Sequence, residues 1–315
     1  PKLTDLAEVM RPLAPYTPDK VMAEATRAPA LDARIKAFGS EDKLPEKQVP
    51  KHLAIQINQA LHDLFAKYPE TLLFGEDVAQ KGGVYTVTKG LHKAFGNKRV
   101  FNTLLDETMI LGMAQGFANM GMLPIPEIQY LAYLHNAIDQ IRGEAASLQF
   151  FSNDQFRNPM VVRIAGLGYQ RGFGGHFHND NSMTALRDIP GLVVGCASRG
   201  DDAAMMLRTL TALAKVDGRV SVFLEPIALY MTKDLHEPGD GLWLTEYPAP
   251  DRALVLGEER VYNAEATDCV IFSYGNGMPM SLRAAREIER KHGWKVRVVD
   301  LRWLVPLNEP AIAKH

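Results

Sequence analysis

Short apolar runs alternate with helical patterns between residues 51 and 230, and this alternation constrains the fold more than any other feature. The runs have the length and flanks of strands buried on both faces, and the helical patterns between them are typical of crossover connections. The pattern therefore predicts an α/β fold with a mostly parallel sheet between layers of helices. The predicted strands cover residues 72–74, 100–105, 125–128, 160–164, 192–197 and 220–224, and the predicted helices cover residues 89–95, 107–120, 134–150 and 201–213.

The first fifty residues contain seven of the nineteen prolines and no strand-like run. This composition differs from the rest of the chain, so residues 1–50 are interpreted as an N-terminal helical arm or a linker. The expected local elements are helices at 4–11, at 18–27 with Thr17 as its cap, and at 31–38 with Gly39 at its end, followed by a linker at 40–50.

A smaller unit is expected after the main α/β unit, which is assigned to residues 51–245. The remaining residues, 246–315, continue the alternation of strand and helix, and Asn308 has the features of a helix cap. Because the chain ends shortly after this cap, the C-terminal unit is interpreted as truncated. Its predicted elements are strands at 253–256, 270–274 and 296–301 and a helix at 279–292 that ends at Gly293.

Composition excludes several classes of protein. The net charge is −2, so no electrostatic footprint for nucleic acid is present. No apolar run reaches the length of about 18 residues that a membrane span needs, and no signal peptide opens the chain. Cys196 and Cys269 lie in apolar runs and are interpreted as reduced core thiols. A cytoplasmic location is expected, or the mitochondrial matrix in a eukaryote.

Two adjacent carboxylates, Asp106 and Glu107, lie where a predicted strand gives way to a helix. The positions that follow in the helix are apolar, so Glu107 should begin a buried helix, where a desolvated carboxylate can hold or share a proton. A first-turn glutamate that only interacts with the helix dipole fits the same position. Spacing alone leaves both interpretations open.

Two histidines, His176 and His178, follow a glycine-rich stretch that begins at Gly172. Histidine is the commonest acid/base group, and the glycines would let a loop fold closely around a ligand. A His-x-His pair also suggests a metal, but no third ligand stands at a recognisable zinc spacing. The loop is a candidate acid/base site, with incidental surface histidines as the alternative.

The stretch Gly239-Asp240-Gly241 matches the start of the motif in which an aspartate holds the magnesium ion of bound thiamine diphosphate. The Asn-Asn pair that completes this motif is missing, and Gly239 follows an acidic, turn-rich segment instead of a strand. The stretch is therefore interpreted as a loop. No other glycine-rich phosphate-binding motif is present, so the chain is not expected to bind a diphosphate group unaided.

A series of short motifs runs through the main unit in a fixed order, and each of them is weak singly. The motifs are Gly75-Glu76-Asp77-Val78-Ala79, Gly82-Gly83-Val84-Tyr85, Phe101-Asn102-Thr103, Glu127-Ile128-Gln129-Tyr130, Ile138-Asp139-Gln140-Ile141, Gly175-His176-Phe177-His178, Pro190-Gly191-Leu192 and Phe223-Leu224-Glu225-Pro226. In this order, they resemble the beta subunit of thiamine-diphosphate-dependent 2-oxo acid dehydrogenases of the pyruvate or branched-chain type. The resemblance implies a transketolase-like pyrimidine-binding domain over 51–245, followed by the start of a transketolase C-terminal α/β domain over 246–315.

The resemblance also implies a site for the cofactor, thiamine diphosphate. Glu107 matches the glutamate that bonds N1′ of the aminopyrimidine ring and helps to activate the cofactor. Tyr133 matches the aromatic residue that packs on that ring, and Leu105 and Gln129 match neighbouring pocket positions.

The same resemblance assigns the loop histidines. His178 matches the histidine placed near the reacting carbon, and His176 matches a second loop histidine found in many members. Two departures from the family pattern lie close to these residues. Asn179-Asp180 follows His178 where the family commonly has Ser-Gln, and Thr108-Met109 follows Glu107 where small residues are common.

Two metals are implied as well. Magnesium would be held mainly by an alpha-type half. A structural potassium ion would bind carbonyls near Met160, Ala214, Lys215 and Asp217. Arg219 stands near that site in place of a small or polar residue, which puts the potassium ion in doubt.

The implied function is that of a beta component that is active only with an alpha-type half. Together they would decarboxylate a 2-oxo acid and transfer the acyl group to the lipoyl group of a partner acyltransferase, in an assembly of two alpha-type and two beta-type units. The alternatives are a transketolase or deoxyxylulose-phosphate synthase, and a noncatalytic transketolase-like scaffold subunit. The identity of the acyl chain stays open, and one interpretation of residues 1–50 is a connector from a fused alpha half.

Overall fold

A seven-stranded sheet and a three-stranded sheet organise the structure, a computed structural model that describes residues 16–168, 174–175 and 178–315. The strands are β1 (Thr71–Gly75), β2 (Val100–Asn102), β3 (Leu123–Ile128), β4 (Met160–Gly166), β5 (Val193–Gly195), β6 (Val220–Pro226), β7 (Arg260–Tyr262), β8 (Cys269–Ser273), β9 (Val296–Asp300) and β10 (Trp303–Val305).

The large sheet has the strand order β10-β5-β6-β4-β3-β1-β2. All its pairings are parallel except that of β10 with β5. In the small sheet, β9 lies between β7 and β8, antiparallel to β7 and parallel to β8. The mostly parallel large sheet confirms the predicted α/β fold.

Helices cover both faces of the large sheet. They are α1 (Pro18–Ala25), α2 (Leu31–Phe38), α3 (Leu53–Lys67), α4 (Leu91–Phe95), α5 (Glu107–Asn119), α6 (Leu131–Leu134), α7 (Leu148–Phe151), α8 (Thr184–Arg187), α9 (Gly200–Asp217), α10 (Gly277–His292) and α11 (Glu309–Ile312). Single 3₁₀ turns cover Glu41–Lys43, Pro45–Lys47, His135–Ala137 and Ile227–Leu229, and a π-helical turn covers Gln140–Ala145.

Alternate side chains of the central strands fill two separate cores, as the period of two in a strand requires. Val161 and Phe223 belong to the core formed with α3 and α9. Their neighbours Val162 and Val222 belong to the core formed with α5 on the opposite face. Burial on both faces explains why these strands are continuous apolar runs in the sequence.

A buried ion cluster joins three strands at the carboxyl edge of the sheet. Arg163 of β4 donates from Nε and Nη2 to the two carboxylate oxygens of Glu225 on β6, at 2.7 and 3.0 Å. Its Nη1 donates to Glu127 on β3 at 2.5 Å. Gly75, the last residue of β1, lies so close to Glu127 that an added Cβ would be 2.6 Å from the Glu127 carbonyl oxygen. The ends of these neighbouring strands are therefore held in fixed positions.

The described part of the N-terminal arm packs against α3 and α9. Arg34 is 3 % exposed and donates to Glu46 and to Asp63 of α3, each with a shortest distance of 2.7 Å. Leu44 is buried, so segment 40–50 is folded against the main unit, where the sequence suggested a linker. The division of the chain into three units remains a prediction, and the helix expected at 4–11 lies outside the described residues.

Three local predictions are wrong for identifiable reasons. No strand forms at 253–256, because Arg208 and Thr209 of α9 donate hydrogen bonds to the carbonyls of Arg252 and Leu254. The helix expected at 134–150 is broken into short turns, where the Ser147 hydroxyl donates to the carbonyl four residues before it. Thr17 holds the expected N-cap position of α1, but its side chain does not cap the helix, since its hydroxyl and N–H both donate to Asp217.

Three predicted helix ends are confirmed. Gly39 and Gly293 follow α2 and α10 in the left-handed conformation, with φ of 93° and 71°. The Asn308 side chain caps α11 by accepting the N–H of Ala311 at 3.1 Å.

The buried pairing of Arg34 predicts a large effect on stability. Arg34→Leu should lower the free energy of unfolding by about 3 kcal/mol, because it leaves the buried Asp63 carboxylate without its closest cation. Arg27→Leu is the matched control, since the Arg27–Glu24 pair is largely exposed and should contribute about 1 kcal/mol or less. Urea unfolding of both variants checks this, and equal losses would contradict it.

Candidate active site

A cleft of about 600 Å³ opens at the carboxyl edge of the large sheet. Ligands of open parallel sheets commonly bind at this edge, because the loops that leave neighbouring strands converge there. Four residues singled out in the sequence, Glu107, Leu105, Gln129 and Tyr133, line this cleft together. Its full lining is Glu76, Leu105, Asp106, Glu107, Gln129, Ala132, Tyr133 and Asn136.

Glu107 is the first residue of α5 and is 6 % exposed. The preceding residue, Asp106, caps the helix by accepting the N–H of Thr108 at 3.0 Å. The Glu107 carboxylate accepts a hydrogen bond at Oε2 from Nδ2 of Asn136, at 3.1 Å. The backbone N–H groups at the start of a helix favour negative charge. The carboxylate is therefore held at one oxygen and oriented along the cleft wall.

Glu76 is a further carboxylate of the cleft lining, and no sequence motif singled it out as a site residue. It directly follows β1, and its Oε1 atom is buried without a hydrogen-bond partner among the described residues. Burial raises the pKa of Glu76 above its ordinary value, and the negative charges of Glu107 and Asp77 raise it further. Its position in the sequence could have identified it, since Glu76 directly follows a buried strand and therefore lies at the same sheet edge as Glu107.

His178 lies beside Tyr133 at the mouth of the cleft. Its Nδ1 is 3.0 Å from the carbonyl oxygen of Gly174, and its Nε2 is 3.0 Å from the Tyr133 hydroxyl. Because a carbonyl only accepts, Nδ1 carries the proton of the neutral ring, and Nε2 accepts from the tyrosine hydroxyl. The Tyr130 ring packs edge-on against the imidazole, with centroids 4.5 Å apart. His176 lies outside the described residues.

The cleft has an acidic lining. Three of the described residues that line it are carboxylates, and none of them is a lysine or an arginine. Gln129 and Asn136 contribute amides, and Tyr133 and Leu105 contribute an aromatic ring and an apolar chain. Leu105 is 71 % exposed at the mouth. Such a surface suits a flat, hydrogen-bonding ring better than a phosphate group, which needs cationic partners.

The loop Gly239-Asp240-Gly241 is not arranged as a metal site. The Asp240 carboxylate accepts N–H groups of its own loop, from Leu235, His236, Glu237 and Leu242. Desolvation opposes ionisation of Asp240, but these four donors hold its pKa well below the ordinary value. Among the described residues, no group of three or more histidine, cysteine or acidic side chains is placed to hold a metal ion.

The residues implied as potassium ligands lie at the end of α9 and the start of β4, and they are Ala214, Lys215, Asp217 and Met160. The carbonyl of Ala214 already accepts the N–H of Gly218. The guanidinium of Arg219 is buried at this helix end and donates to the carbonyl of Gly191 at 2.9 Å. Burial lowers the pKa of Arg219, and the adjacent Asp217 carboxylate opposes that shift. A buried guanidinium at this helix end, with the Asp217 carboxylate close to it, does not favour a second bound cation.

The described geometry defines an α/β protein whose sheet edge carries a ring-sized cleft lined by three carboxylates, with a histidine bonded to the tyrosine of its lining. Family models agree with this class. Residues 53–232 match the model "Transketolase, pyrimidine binding domain", and residues 259–315 match the model "Transketolase, C-terminal domain".

Curated relatives point to one branch of this family. The chain is 36 % identical over 258 residues to the 3-methyl-2-oxobutanoate dehydrogenase subunit beta of Mycobacterium tuberculosis, covering 82 % of this chain and 69 % of that one. It is 34 % identical over 257 residues to the pyruvate dehydrogenase E1 component subunit beta of Staphylococcus epidermidis, covering 80 % and 72 %. The Staphylococcus aureus protein of the same name is 34 % identical over 261 residues, covering 81 % and 73 %.

A solved structure titled "Split gene transketolase, inactive beta4 tetramer" has a TM-score of 0.62 and 19 % identity, covering 84 % of this chain and 75 % of that one. At this identity the likeness shows the fold alone. The chain belongs to the transketolase-like family, in the group of 2-oxo acid dehydrogenase beta subunits. Membership implies thiamine diphosphate as the cofactor and an alpha subunit as a partner. Within the described part of the chain, no helix is long and apolar enough to cross a membrane.

The raised pKa of Glu76 predicts a pH-dependent effect on stability. Because the folded chain binds this proton more tightly than the unfolded chain, Glu76 lowers stability as pH rises through its folded pKa. Below about pH 4 both states are protonated and the cost disappears. Glu76→Gln should therefore raise the thermal unfolding midpoint at pH 8 and leave it unchanged near pH 4. The exposed Glu265→Gln is the control, and an equal effect of Glu76→Gln at both pH values would contradict this prediction.

Proposed function

We propose that this chain supplies the pyrimidine side of the active site of a thiamine-diphosphate-dependent 2-oxo acid dehydrogenase. The complete enzyme decarboxylates a 2-oxo acid and transfers the acyl group to a lipoyl acceptor of a multienzyme complex. The observation that carries this proposal is the cleft itself, which the buried Glu107 carboxylate and Tyr133 both line, with the Tyr133 hydroxyl bonded to His178. Sequence kinship to beta subunits of such dehydrogenases supports the reaction class.

The lining of the cleft fits the ring end of this cofactor. A buried carboxylate, a tyrosine ring and the Gln129 amide suit a flat aminopyrimidine with hydrogen-bonding nitrogens, and Oε1 of Glu76, in the same lining, is buried without a partner among the described residues. Glu107 would share a proton with the ring nitrogen N1′, Tyr133 would pack on the ring, and Leu105 and Gln129 would complete the pocket. When bound, thiamine diphosphate supplies the carbanion chemistry of the reaction.

Glu107 and Glu76 have different roles toward the proton that Glu107 would share with N1′. The negative charge of Glu107 disfavours ionisation of the neighbouring Glu76 carboxyl. The raised pKa of Glu76 favours the protonated form there, while Glu107 receives an amide hydrogen bond that favours its ionised form. Glu107 can then exchange a proton with the cofactor ring while Glu76 limits the build-up of negative charge.

His178 manages protons on the substrate side. Gly174 fixes the tautomer that leaves Nε2 as the acceptor, and the Tyr133 hydroxyl holds that nitrogen at the mouth of the cleft. A proton taken from a reacting group can reach Nε2 through the Tyr133 hydroxyl, which gives its own proton to Nε2 and receives the new one, and it can return by the same route. The Tyr130 ring limits rotation of the imidazole.

The diphosphate and its magnesium ion are assigned to the alpha-type half. The cleft lining has no cation among its described residues, and the Asp240 loop is occupied by its own N–H groups. Two alpha-type and two beta-type units form the proposed assembly, and a lipoyl acyltransferase is the proposed acceptor. Potassium is left out of the proposal, because the buried Arg219 guanidinium does not fit it.

Glu107→Gln tests the proton exchange with the cofactor ring. The glutamine oxygen can still accept from Asn136, so folding should be retained, but an amide cannot exchange a proton with N1′. Decarboxylation by the complex with the alpha-type partner should fall by about a hundredfold or more. The direct measurement is proton–deuterium exchange at C2 of the bound cofactor. Exchange at the wild-type rate would refute the assignment, and Glu144→Gln, at an exposed position, is the control.

His178→Ala tests the substrate side. The affinity of the variant complex for thiamine diphosphate, measured by calorimetry, should stay close to that of the wild-type complex. Turnover with a lipoyl acceptor should fall by roughly a hundred- to ten-thousand-fold. Tyr133→Phe keeps the ring and deletes the hydroxyl, so its turnover should lie between that of wild type and that of His178→Ala. His292→Ala at the surface is the control. Turnover of His178→Ala within a few-fold of wild type would make His178 only a loop residue.

A further inference from the structure

Asn136 contacts both of the first two residues of helix α5. Its side-chain Nδ2 donates to Oε2 of Glu107 at 3.1 Å. Its main-chain carbonyl accepts the hydroxyl of Thr108 at 3.0 Å. Asn136 lies in the 3₁₀ turn His135–Ala137, which directly follows α6. The turn and the start of α5 are therefore joined at two points, and only one of these points touches the carboxylate.

The hydrogen bond from Asn136 changes what Glu107 can do. A carboxylate with one oxygen held by an N–H donor keeps the other oxygen free to meet a ligand, and the donor stabilises the ionised form. Among the described residues, Asn136 is the only side chain that donates to Glu107. Glu76, which also lies beside another carboxylate, shows the effect of lacking such a donor: its pKa is raised above the ordinary value.

The other charged and titratable groups around Glu107 offer no substitute for this amide. Glu76 and Asp77 at the end of β1 are acidic, and Asp106 on the same helix is acidic as well. Tyr133 of α6 points its hydroxyl at His178. His135 of the 3₁₀ turn is 3.4 Å from Asp180. The remaining ionisable groups that face Glu107 are therefore acidic or bonded elsewhere.

We propose that Asn136 is a positioning residue that fixes one oxygen of Glu107 and keeps this carboxylate ionised, so that the proton it shares with a bound ring stays on the ring nitrogen. Asn136 acts through Glu107 and touches no reacting atom. The catalytic consequence rests on the proposed function, but the effect on Glu107 itself does not. Thr108 holds only the main chain of the turn, so it should influence position without influencing protonation.

Three variants separate these roles. Asn136→Leu removes the donor with little change in size, Asn136→Asp replaces it with a carboxylate, and Thr108→Val removes only the hydrogen bond to the main chain. The Asn136 side chain is exposed, so folding is not at risk from its substitution. The full chain is labelled with ¹³C at the glutamate carboxyl groups, and each signal is followed by NMR during a pH titration. Glu107→Gln and Glu76→Gln assign the two signals of the cleft.

The titration midpoint of Glu107 should rise by about 0.5 to 1 pH unit in Asn136→Leu and by more in Asn136→Asp, where a like charge is added. Thr108→Val should leave the midpoint within about 0.3 pH unit of wild type, which is inside the range expected without a change of charged or donor groups. Midpoints that coincide in all four proteins would overturn the proposal. An equal rise in Thr108→Val and Asn136→Leu would also overturn it, because the effect would then be structural.

A second measurement tests the catalytic consequence. In the complex with the alpha-type partner, the acid limb of the kcat/KM profile should move to higher pH in Asn136→Leu, in the same direction as the titration. If the NMR shift occurs and no complex turns over a 2-oxo acid, the proposed function fails and the role of Asn136 stands. If the wild-type complex is active and neither the titration nor the acid limb moves, the inference about Asn136 fails and the proposed function stands.

Discussion

The buried contact of Arg163 with Glu225 and Glu127 is the interaction on which the candidate site depends. It joins β3, β4 and β6 where these strands end, with Arg163 only 2 % exposed. Tyr230 donates a further hydrogen bond to Glu225 at 2.7 Å. Burial raises the pKa of Glu127 and the Arg163 cation opposes that rise, so the cluster holds together only while its geometry is kept. The cluster extends to β1, because Gly75 packs on the Glu127 carbonyl and Glu76 follows directly.

The carboxylates of the cleft lower the stability of the folded chain, although the proposed function requires them. The charge of Glu107 lies close enough to disfavour ionisation of Glu76, and no lysine or arginine of the described lining neutralises these carboxylates. Such an arrangement costs stability at neutral pH, as groups kept for binding or proton transfer commonly do. The same negative surface is suited to a ring that brings a shared proton and disfavours a diphosphate, in line with the proposal that the diphosphate binds mainly on the alpha-type half.

Sequence patterns predicted the parts of the molecule that depend on local order. The parallel sheet follows from continuous apolar runs, whereas the position of Glu107 at the join of strand and helix left two interpretations open, and only the resemblance to the family selected one of them. Asn136 was missed because it lies 29 positions from Glu107. Hydrophobic periodicity predicts helices and strands, but it does not predict which turn contacts the start of a distant helix. β10 was missed because a three-residue strand gains its stability from pairing with β5, far away in the chain. The apolar segment 253–256 also does not form the strand that its composition favours, because side chains of α9 donate hydrogen bonds to main-chain carbonyls there.

The groups proposed for proton transfer come from four successive strand ends, and this origin couples the chemistry to the sheet. Glu76 follows β1, Glu107 follows β2, and Tyr133 follows β3. His178 belongs to the connection that follows β4. None of these groups contacts another through neighbouring positions in the sequence, so their distances exist only once the parallel pairings have formed. A substitution that loosens the Arg163 cluster would therefore alter the spacing of Glu76 and Glu107 before it unfolds the chain, because strand ends move more easily than strand centres. For this reason, the proposed chemistry of the cleft depends on the buried Arg163 cluster, which lies outside the cleft lining.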